Sequence, residues 1–191
     1  QGLIGVILCL EHLDGSLPAD DENGRQWVER ALELSRSSLE EARRSVRDLR
    51  AAPLEGKTLL EALGNLVANA SADVPFEIDA TLPPVLPKLS ARVETALFRV
   101  VQEALVNANK HAKCQRVQLQ IQVDNTTLTL IVADDGVGFN TDPLESPRER
   151  YGLTTMRERV QQIGGQIAIE STPGHGAPIR VDLPMRLATY Q

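Results

Sequence analysis

Apolar residues recur with heptad spacing in two segments near the start of the chain. In the first segment, alternating steps of three and four residues separate Leu3, Val6, Leu10, Leu13 and Leu17. After a turn-rich stretch, steps of four and three separate Val28, Leu32, Ser35, Leu39, Ala42, Val46 and Leu49. Two apolar positions in seven on a charged helix are typical of coiled coils and helical bundles. Because two such helices cannot bury both seams alone, residues 1–53 predict half of a dimeric four-helix bundle. The alternative is a helical hairpin packed on the rest of its own chain.

The periodicity changes after Pro53 and Gly56, which end the second predicted helix. Residues 57–187 then form a second predicted domain, with the order helix, strand, helix, strand, strand, helix, strand, strand. The predicted helices are 59–67, 90–111 and 153–163, and the predicted strands are 76–78, 117–123, 128–133, 167–169 and 179–183. Short turns between neighbouring strands favour a mostly antiparallel sheet with the helices on one face. The predicted fold class is therefore α+β, a helical hairpin followed by an α/β sandwich.

Composition narrows the class of function. The 191 residues carry a formal net charge of -6 and include three Phe, two Tyr and one Trp. A nucleic-acid surface needs a basic stripe and aromatic side chains for stacking, so we expect no nucleic-acid partner. Cys9 and Cys114 fit no metal-ligand spacing and predict two buried, reduced thiols of a cytoplasmic protein. The apolar run 2–10 is far shorter than the ~20 residues that cross a bilayer.

Polar residues share one face of the long predicted helix. Glu103, Asn107, and Lys110 or His111 recur at the helical spacing i, i+4 and i+7 or i+8. A carboxylate, an amide and an ammonium aligned in this way are suited to order a hydrated Mg²⁺ ion and a chain of phosphates, because Mg²⁺ prefers oxygen ligands and keeps several waters. Taken alone, this pattern is more often a solvated helix surface.

An acidic residue followed by two glycines ends the most apolar predicted strand. Asp134 stands at the strand end and offers an acceptor for an exocyclic amine, while Gly136 and Gly138 permit close approach of a ligand to the backbone. Such a turn is by itself as often a calcium loop or a plain turn.

Further glycines frame the last predicted helix. The polar, proline-containing stretch 140–150 has no hydrophobic period and is a candidate lid. Gly152 follows it and opens a helix, whose first backbone N–H groups and dipole favour phosphate. Gly174 and Gly176 belong to a turn between the last two strands.

The order and spacing of these features resemble the nucleotide-binding domain of sensor histidine kinases, in the broader group with gyrase, the heat-shock chaperone ATPases and the mismatch-repair ATPases. The segment 103–111 resembles the asparagine box of that family, and 134–139 resembles its first glycine box. Gly152 resembles the start of the second glycine box, and 174–176 the last glycine turn.

A narrower resemblance is to the nitrate-sensor and desaturase-sensor subfamily, which places a short helical hairpin before the domain. The residues that carry it are the pair Lys110-His111 and the run Gly152-Leu153-x-x-Met156-x-Glu158-Arg159. The resemblance covers roughly residues 1–185. Two positions depart from the subfamily: Thr155 stands where Gly is frequent, and Ala177 where Thr is frequent. The missing hydroxyl at Ala177 predicts modest nucleotide affinity.

The resemblance implies ATP and Mg²⁺ as cofactors and phosphoryl transfer as the chemistry, in which protein groups mostly position the reactants and neutralise charge. Asn107 would hold the Mg²⁺ ion, Glu103 would assist it or polarise the reacting group, and Lys110 would contact a phosphate. Asp134 would accept the adenine amino group, directly and through water. The remaining implied nucleotide-binding residues are His111, Gly136, Gly138, Gly152, Leu153, Gly174 and Gly176.

The resemblance also bears on the phosphorylated histidine. The family's acceptor opens a His-Asp or His-Glu motif on the first bundle helix, and in this subfamily a Gln follows it by five residues. Gln1 resembles that Gln, so the acceptor is expected just upstream, and Gln1 would assist dephosphorylation of a partner regulator. His12 is followed by Leu13 rather than by an acid, so we interpret it as a surface or seam residue.

The implied partners are a second copy of the chain and a response regulator. The chain would be a cytoplasmic fragment, and a membrane anchor or an upstream sensor domain in its parent stays open. The rival function is an ATPase of the same broader group that drives a conformational clamp, because Glu103 and Asn107 also have the spacing of its water-activating Glu and its Asn. Such ATPases carry a transducer domain after the nucleotide site, whereas a heptad hairpin in front favours the kinase. A third interpretation is a non-catalytic dimerisation module with a decayed nucleotide site.

Overall fold

The computed structural model describes residues 2–18, 21–32, 34–35, 54, 56–139 and 150–188. The chain divides into two compact units, Gln1–Ala52 and Pro53–Gln191. The first unit contains helix α1 (Gly2–Ser16) and helix α2 (22–32, continuing at 34–35). The first heptad segment is therefore helical, as predicted. The later positions of the second segment, from residue 39 onward, lie outside the described residues.

Several apolar side chains are exposed among the described residues of the first unit. Val28 and Leu32 on α2 are buried, but Val6 and Leu13 of the predicted seam on α1 are about half exposed. None of the described side chains of α1 is buried. The prediction of two buried thiols is therefore wrong for Cys9, which is exposed on α1, and correct for Cys114.

The second unit follows the predicted order of helices and strands. Its elements are α3 (Leu59–Asp73), β1 (Glu77–Thr81), α4 (Ala91–Asn107), β2 (Arg116–Val123), β3 (Thr127–Asp134), α5 (Arg150–Gln162), β4 (Gln166–Ile169), β5 (Ile179–Pro184) and the short, unpredicted α6 (Met185–Ala188). Ser90 begins α4 by accepting a hydrogen bond from the Val93 N–H on its hydroxyl, at 3.3 Å. Such a cap satisfies one of the backbone donors that a helix start leaves without a partner.

The strands form one five-stranded sheet in the order β1-β2-β3-β5-β4. β1 pairs in parallel with β2, and every other neighbouring pair is antiparallel. The prediction of a mostly antiparallel sheet is thus confirmed, with one parallel edge strand. On β2 the alternation is as predicted: Val117, Leu119 and Ile121 are buried, whereas Gln118 and Gln122 are exposed. The buried side chains of α3, α4 and α5 join those of β2, β3 and β5 in one core.

The long predicted helix ends differently from the expectation. Its α-helical part stops at Asn107, and a π-helical turn, Ala108–Ala112, continues it. Lys113 then takes a left-handed conformation with φ 49° and stops the turn. A π turn holds more residues than an α turn, so the i+7 and i+8 rule that placed Lys110 and His111 on the face of Glu103 does not apply to them.

Candidate nucleotide-binding site

Asp134 stands half-buried at the end of β3, where the chain turns away from the sheet. Its carboxylate accepts the Gly136 N–H at 3.0 Å and also a hydrogen bond from the backbone of Ala177. Burial raises the pKa of Asp134 above its ordinary value, the negative charge of Asp135 adds to this, and the two backbone donors oppose it. A partly desolvated acceptor at a strand end is well placed to receive an exocyclic amine.

Two glycine turns meet beside Asp134. The Gly174 N–H donates to the Val137 carbonyl at 2.6 Å, and the Gly176 N–H donates to the Gly136 carbonyl at 2.9 Å. Gly176 has φ +71°, and a Cβ there would overlap the backbone carbonyl of Asp134. A side chain at this position is therefore excluded both by conformation and by space. The predicted first and last glycine boxes thus form one contiguous backbone surface.

The π turn supports this surface from the side of α4. The Val137 N–H donates to the Ala112 carbonyl at 2.8 Å, and Gly136 lies so close to that carbonyl that a Cβ would overlap it. The π turn thereby holds the C-terminal end of α4 against the first glycine turn. This contact fixes where the Ala112 carbonyl lies relative to the first glycine turn.

A second group of predicted site residues meets where α5 begins. Gly152 is buried, and a Cβ on it would come within 2.5 Å of the Glu103 Oε1 atom and 3.6 Å of the Asn107 Nδ2 atom. The carboxylate and the amide on α4 therefore face the first turn of α5. The start of a helix presents unpaired N–H groups and a positive dipole end, which favour anions.

For the remaining predicted site residues, the structure gives a position in the fold. Lys110 and His111 are exposed on the π turn, which lies between Asn107 and Asp134 in the sequence. Leu153 is half-buried next to Gly152. Gln1 and most of the predicted lid, 140–149, lie outside the described residues.

Two polar residues of this region were missed by the sequence analysis. The Asp135 carboxylate accepts the backbone N–H groups of Gln115 and Arg116 at 2.8 and 2.9 Å, and these hydrogen bonds lower its pKa. Ser171 is buried, and its hydroxyl accepts the Phe139 N–H and donates to the Gly176 carbonyl. A single serine after a strand gives no sequence signal of such a role. The sequence showed Asp135 only as the acid next to Asp134 and gave no signal of its hydrogen bonds.

A cavity of about 800 Å³ opens on the β1 side of Asp134 and Asp135, and Phe76, Gln115 and Arg116 contribute to its wall. The residues that line it include none of the predicted glycines.

Comparison with known proteins decides the family. Residues 92–187 match the family of histidine kinase-, DNA gyrase B-, and HSP90-like ATPases. The chain belongs to this ATPase family. Residues 1–54 match a histidine kinase family. The resemblance to sensor histidine kinases is therefore confirmed.

Two curated relatives of this ATPase family illustrate the similarity. The chain is 35% identical over 152 residues to the signal transduction histidine-protein kinase/phosphatase DegS of Brevibacillus brevis, covering 80% of this chain and 39% of that protein. It is 34% identical over 176 residues to the sensor histidine kinase LiaS of Bacillus subtilis, covering 92% of this chain and 47% of that protein. The chain spans less than half the length of these relatives.

Solved structures show the same fold at lower identity. The histidine kinase domain of the blue-light activated histidine kinase from Erythrobacter litoralis aligns with a TM-score of 0.57 at 20% identity, over 96% of this chain and 84% of that one. The Acinetobacter baumannii histidine kinase AdeS aligns with a TM-score of 0.59 at 16% identity, over 96% of this chain and 95% of that one. Among the described residues, no helix is long and apolar enough to cross a bilayer.

Proposed function

We propose that this chain is the ATP-binding catalytic core of a two-component sensor histidine kinase. It would transfer the γ-phosphate of ATP to a histidine, from which the phosphate passes to a response regulator. The observation that carries the proposal is the meeting of Glu103 and Asn107 with Gly152 at the start of α5. This meeting occurs in a chain whose first 54 residues match a histidine kinase family.

The glycine turns around Asp134 form the proposed adenine end of the site. The Asp134 carboxylate already accepts two backbone hydrogen bonds, and a carboxylate has lone pairs for further donors such as an adenine amine or a bridging water. Gly136, Gly138 and Gly176 bring backbone rather than side chains to this place. A flat base can therefore approach Asp134 without displacing a side chain.

The group of Glu103, Asn107 and Gly152 forms the proposed phosphate end. The oxygen atoms of an amide and a carboxylate suit Mg²⁺, a hard cation with a preference for oxygen ligands. Bound Mg²⁺ would offset the negative charge of the phosphates. Asn107 would hold the ion, and Glu103 would assist it or polarise the acceptor.

Neighbouring groups complete the phosphate end. The backbone N–H groups at Gly152 and Leu153, in the first turn of α5, would donate to phosphate oxygens. Lys110, on the π turn, would contact a phosphate, and the neighbouring His111 would offer a ring N–H donor.

Two partners follow from the same proposal. A second copy of the chain would pair with the first unit, since Val6, Leu13, Trp27 and Leu34 are about half or more exposed on α1 and α2. A homodimer would cover these apolar side chains, as contiguous exposed apolar surface marks interaction sites. The response regulator would receive the phosphate from the histidine of the bundle. The clamp ATPase stays the less favoured function, because the match of residues 1–54 is to histidine kinases.

Calorimetric titration with a non-hydrolysable ATP analogue tests the core of the proposal. We expect binding both with and without Mg²⁺, and tighter binding with it. The absence of binding heat under both conditions would overturn the nucleotide site. Continuous release of free phosphate from ATP by the chain alone, at a rate comparable to that of clamp ATPases, would instead favour the rival function.

A further inference from the structure

Ser171 connects the two glycine turns through its side chain. It lies in the loop after β4 and is only 8% exposed. Its Oγ accepts the Phe139 N–H at 2.8 Å and donates to the Gly176 carbonyl at 2.8 Å. A hydroxyl has one donor and two acceptor positions, so Ser171 uses its single donor on one turn and an acceptor position on the other.

The two residues that Ser171 joins are both close to the proposed adenine end. Phe139 is the last residue of the first glycine turn, and Gly176 lies directly against Asp134. Two backbone hydrogen bonds, from Gly174 to Val137 and from Gly176 to Gly136, also cross between the turns. Because the turns contain several glycines, their backbone gains much conformational freedom when a crossing bond is lost.

We propose that Ser171 is a positioning residue whose buried hydroxyl holds the two glycine turns in the arrangement that receives the nucleotide base. The inference rests on the proposed function for its consequence, which is nucleotide affinity, but its structural core can be tested without nucleotide. Ser171 would not contact the nucleotide itself. It would act through Phe139 and Gly176.

Amide hydrogen exchange in the free chain tests the coupling. Ser171→Ala removes the acceptor of the Phe139 N–H, so exchange there accelerates even if the role is purely local. Coupling predicts that the Gly174 and Gly176 N–H groups, which bond to other residues, also exchange about tenfold faster. Thr129→Val is the matched control, because it removes a half-buried hydroxyl that donates to Asp182 on the sheet, at 2.7 Å, and leaves the turns untouched.

Nucleotide affinity gives the second readout. Ser171→Ala is expected to weaken binding of ADP about tenfold, while Thr129→Val leaves the affinity unchanged at a similar melting temperature. If Ser171→Ala does not fold, Ser171→Cys keeps a side chain of the same shape, slightly larger and with a weaker hydrogen-bonding group, and is expected to change both readouts in the same direction.

Each outcome decides between the two claims. Acceleration confined to the Phe139 N–H, or ADP affinity equal to that of the unmodified chain, would overturn the role of Ser171 while leaving the nucleotide site intact. Absence of ADP binding by the unmodified chain would overturn the proposed function. The exchange rates of Gly174 and Gly176 would still decide the coupling in that case.

Discussion

Gly152, at the start of α5, faces Glu103 on α4 with no room for a side chain between them. A Cβ at position 152 would lie 2.5 Å from the Glu103 Oε1 atom, closer than real Cβ contacts allow. The same Cβ would be 3.6 Å from the Nδ2 atom of Asn107. The helix start therefore closes directly onto the two side chains to which we assign magnesium binding and catalysis.

This contact makes Gly152→Ala a sharp test of the phosphate end. The added methyl group must displace the Glu103 carboxylate, which is the end of a flexible side chain, so we expect little loss of stability but weaker binding of Mg-ATP. Gly64→Ala is the control, because Gly64 is exposed on α3 and its Cβ would meet nothing within 4 Å. That substitution should stabilise the fold by about 0.5–1 kcal/mol. Equal Mg-ATP affinity in both variants, measured by calorimetry, would contradict the assignment.

Asp134 links nucleotide affinity to pH. Its pKa is raised, chiefly by burial, so the carboxylate takes up a proton at a higher pH than an exposed aspartate does. Accepting the adenine amine favours the ionised form, so ADP affinity should fall as the pH is lowered through this raised pKa. Asp134→Ala should cost ~1.5–3 kcal/mol of binding at neutral pH. Asp134→Asn should remove the part of the pH dependence that belongs to this group.

The contribution of Asp134 to the stability of the fold changes with pH in the opposite direction to ADP affinity. A carboxyl whose pKa is higher in the folded state favours folding more as the pH falls through that pKa. Asp135, whose pKa is lowered by the N–H groups of Arg116 and Gln115, loses its stabilising contribution as the pH falls.

ADP affinity that stays constant with pH in the unmodified chain, or a pH dependence unchanged in Asp134→Asn, would contradict the role of Asp134.

The sequence allowed the fold to be predicted because its signals are periodic and local. The alternation of Val117, Leu119 and Ile121 defined β2, and the apolar spacing of its residues defined α4. The meeting of the glycine boxes could be expected only by resemblance, because contacts such as Gly176 with Asp134 depend on the register between distant strands.

Other features had no local signal at all. The π turn at Ala108–Ala112 ends at a carbonyl that accepts a hydrogen bond from Val137, which is distant in sequence. The role of Ser171 depends on two backbone groups in other loops. Cys9, which the sequence predicted to be buried, is exposed on α1. Tertiary context therefore decides these features.

Asn107→Ala should distinguish the binding of Mg²⁺ from the binding of the nucleotide base. If Asn107 holds Mg²⁺, its loss should weaken binding of Mg-ATP and leave binding of metal-free ADP nearly unchanged, since only a ligand of the cation is removed. Titrations of both nucleotide forms by calorimetry, with melting temperatures as a check on folding, give the comparison. Equal losses with and without Mg²⁺ would mean that Asn107 supports the structure instead.

The first unit should associate through its exposed apolar side chains. Leu13 on α1 is 48% exposed in the single chain, and Leu13→Asp should weaken association by placing a charge in the seam. Trp27, the one tryptophan of the chain, is 68% exposed, and its fluorescence should shift to shorter wavelength if dimerisation covers it. Sedimentation across a range of concentrations measures the association. A monomer at high concentration, unaffected by Leu13→Asp, would contradict the dimer.

The 191-residue chain should bind nucleotide without phosphorylating itself. Phosphoryl transfer needs an acceptor nitrogen in line with the γ-phosphate, and none of its three histidines stands in an acceptor-like context. His12 is followed by Leu13 and not by an acid, His111 belongs to the asparagine box, and His175 lies in the last glycine turn. Incubation with labelled ATP should therefore leave the protein unlabelled.

A longer chain that contains an acceptor histidine should, in contrast, become labelled in the same experiment. Adding upstream helical residues that place a His, followed by Asp, five residues before Gln1 should give the chain a phosphohistidine that is stable in alkali and labile in acid. The control carries Gln in place of the added histidine, which keeps the helix but removes the acceptor nitrogen. Gln1 would then lie one to two turns from the acceptor, so its substitution by Ala should slow dephosphorylation of a partner regulator more than it slows labelling. Stable label on His12 or His111 of the unextended chain would overturn both the position of the acceptor and the role of Gln1.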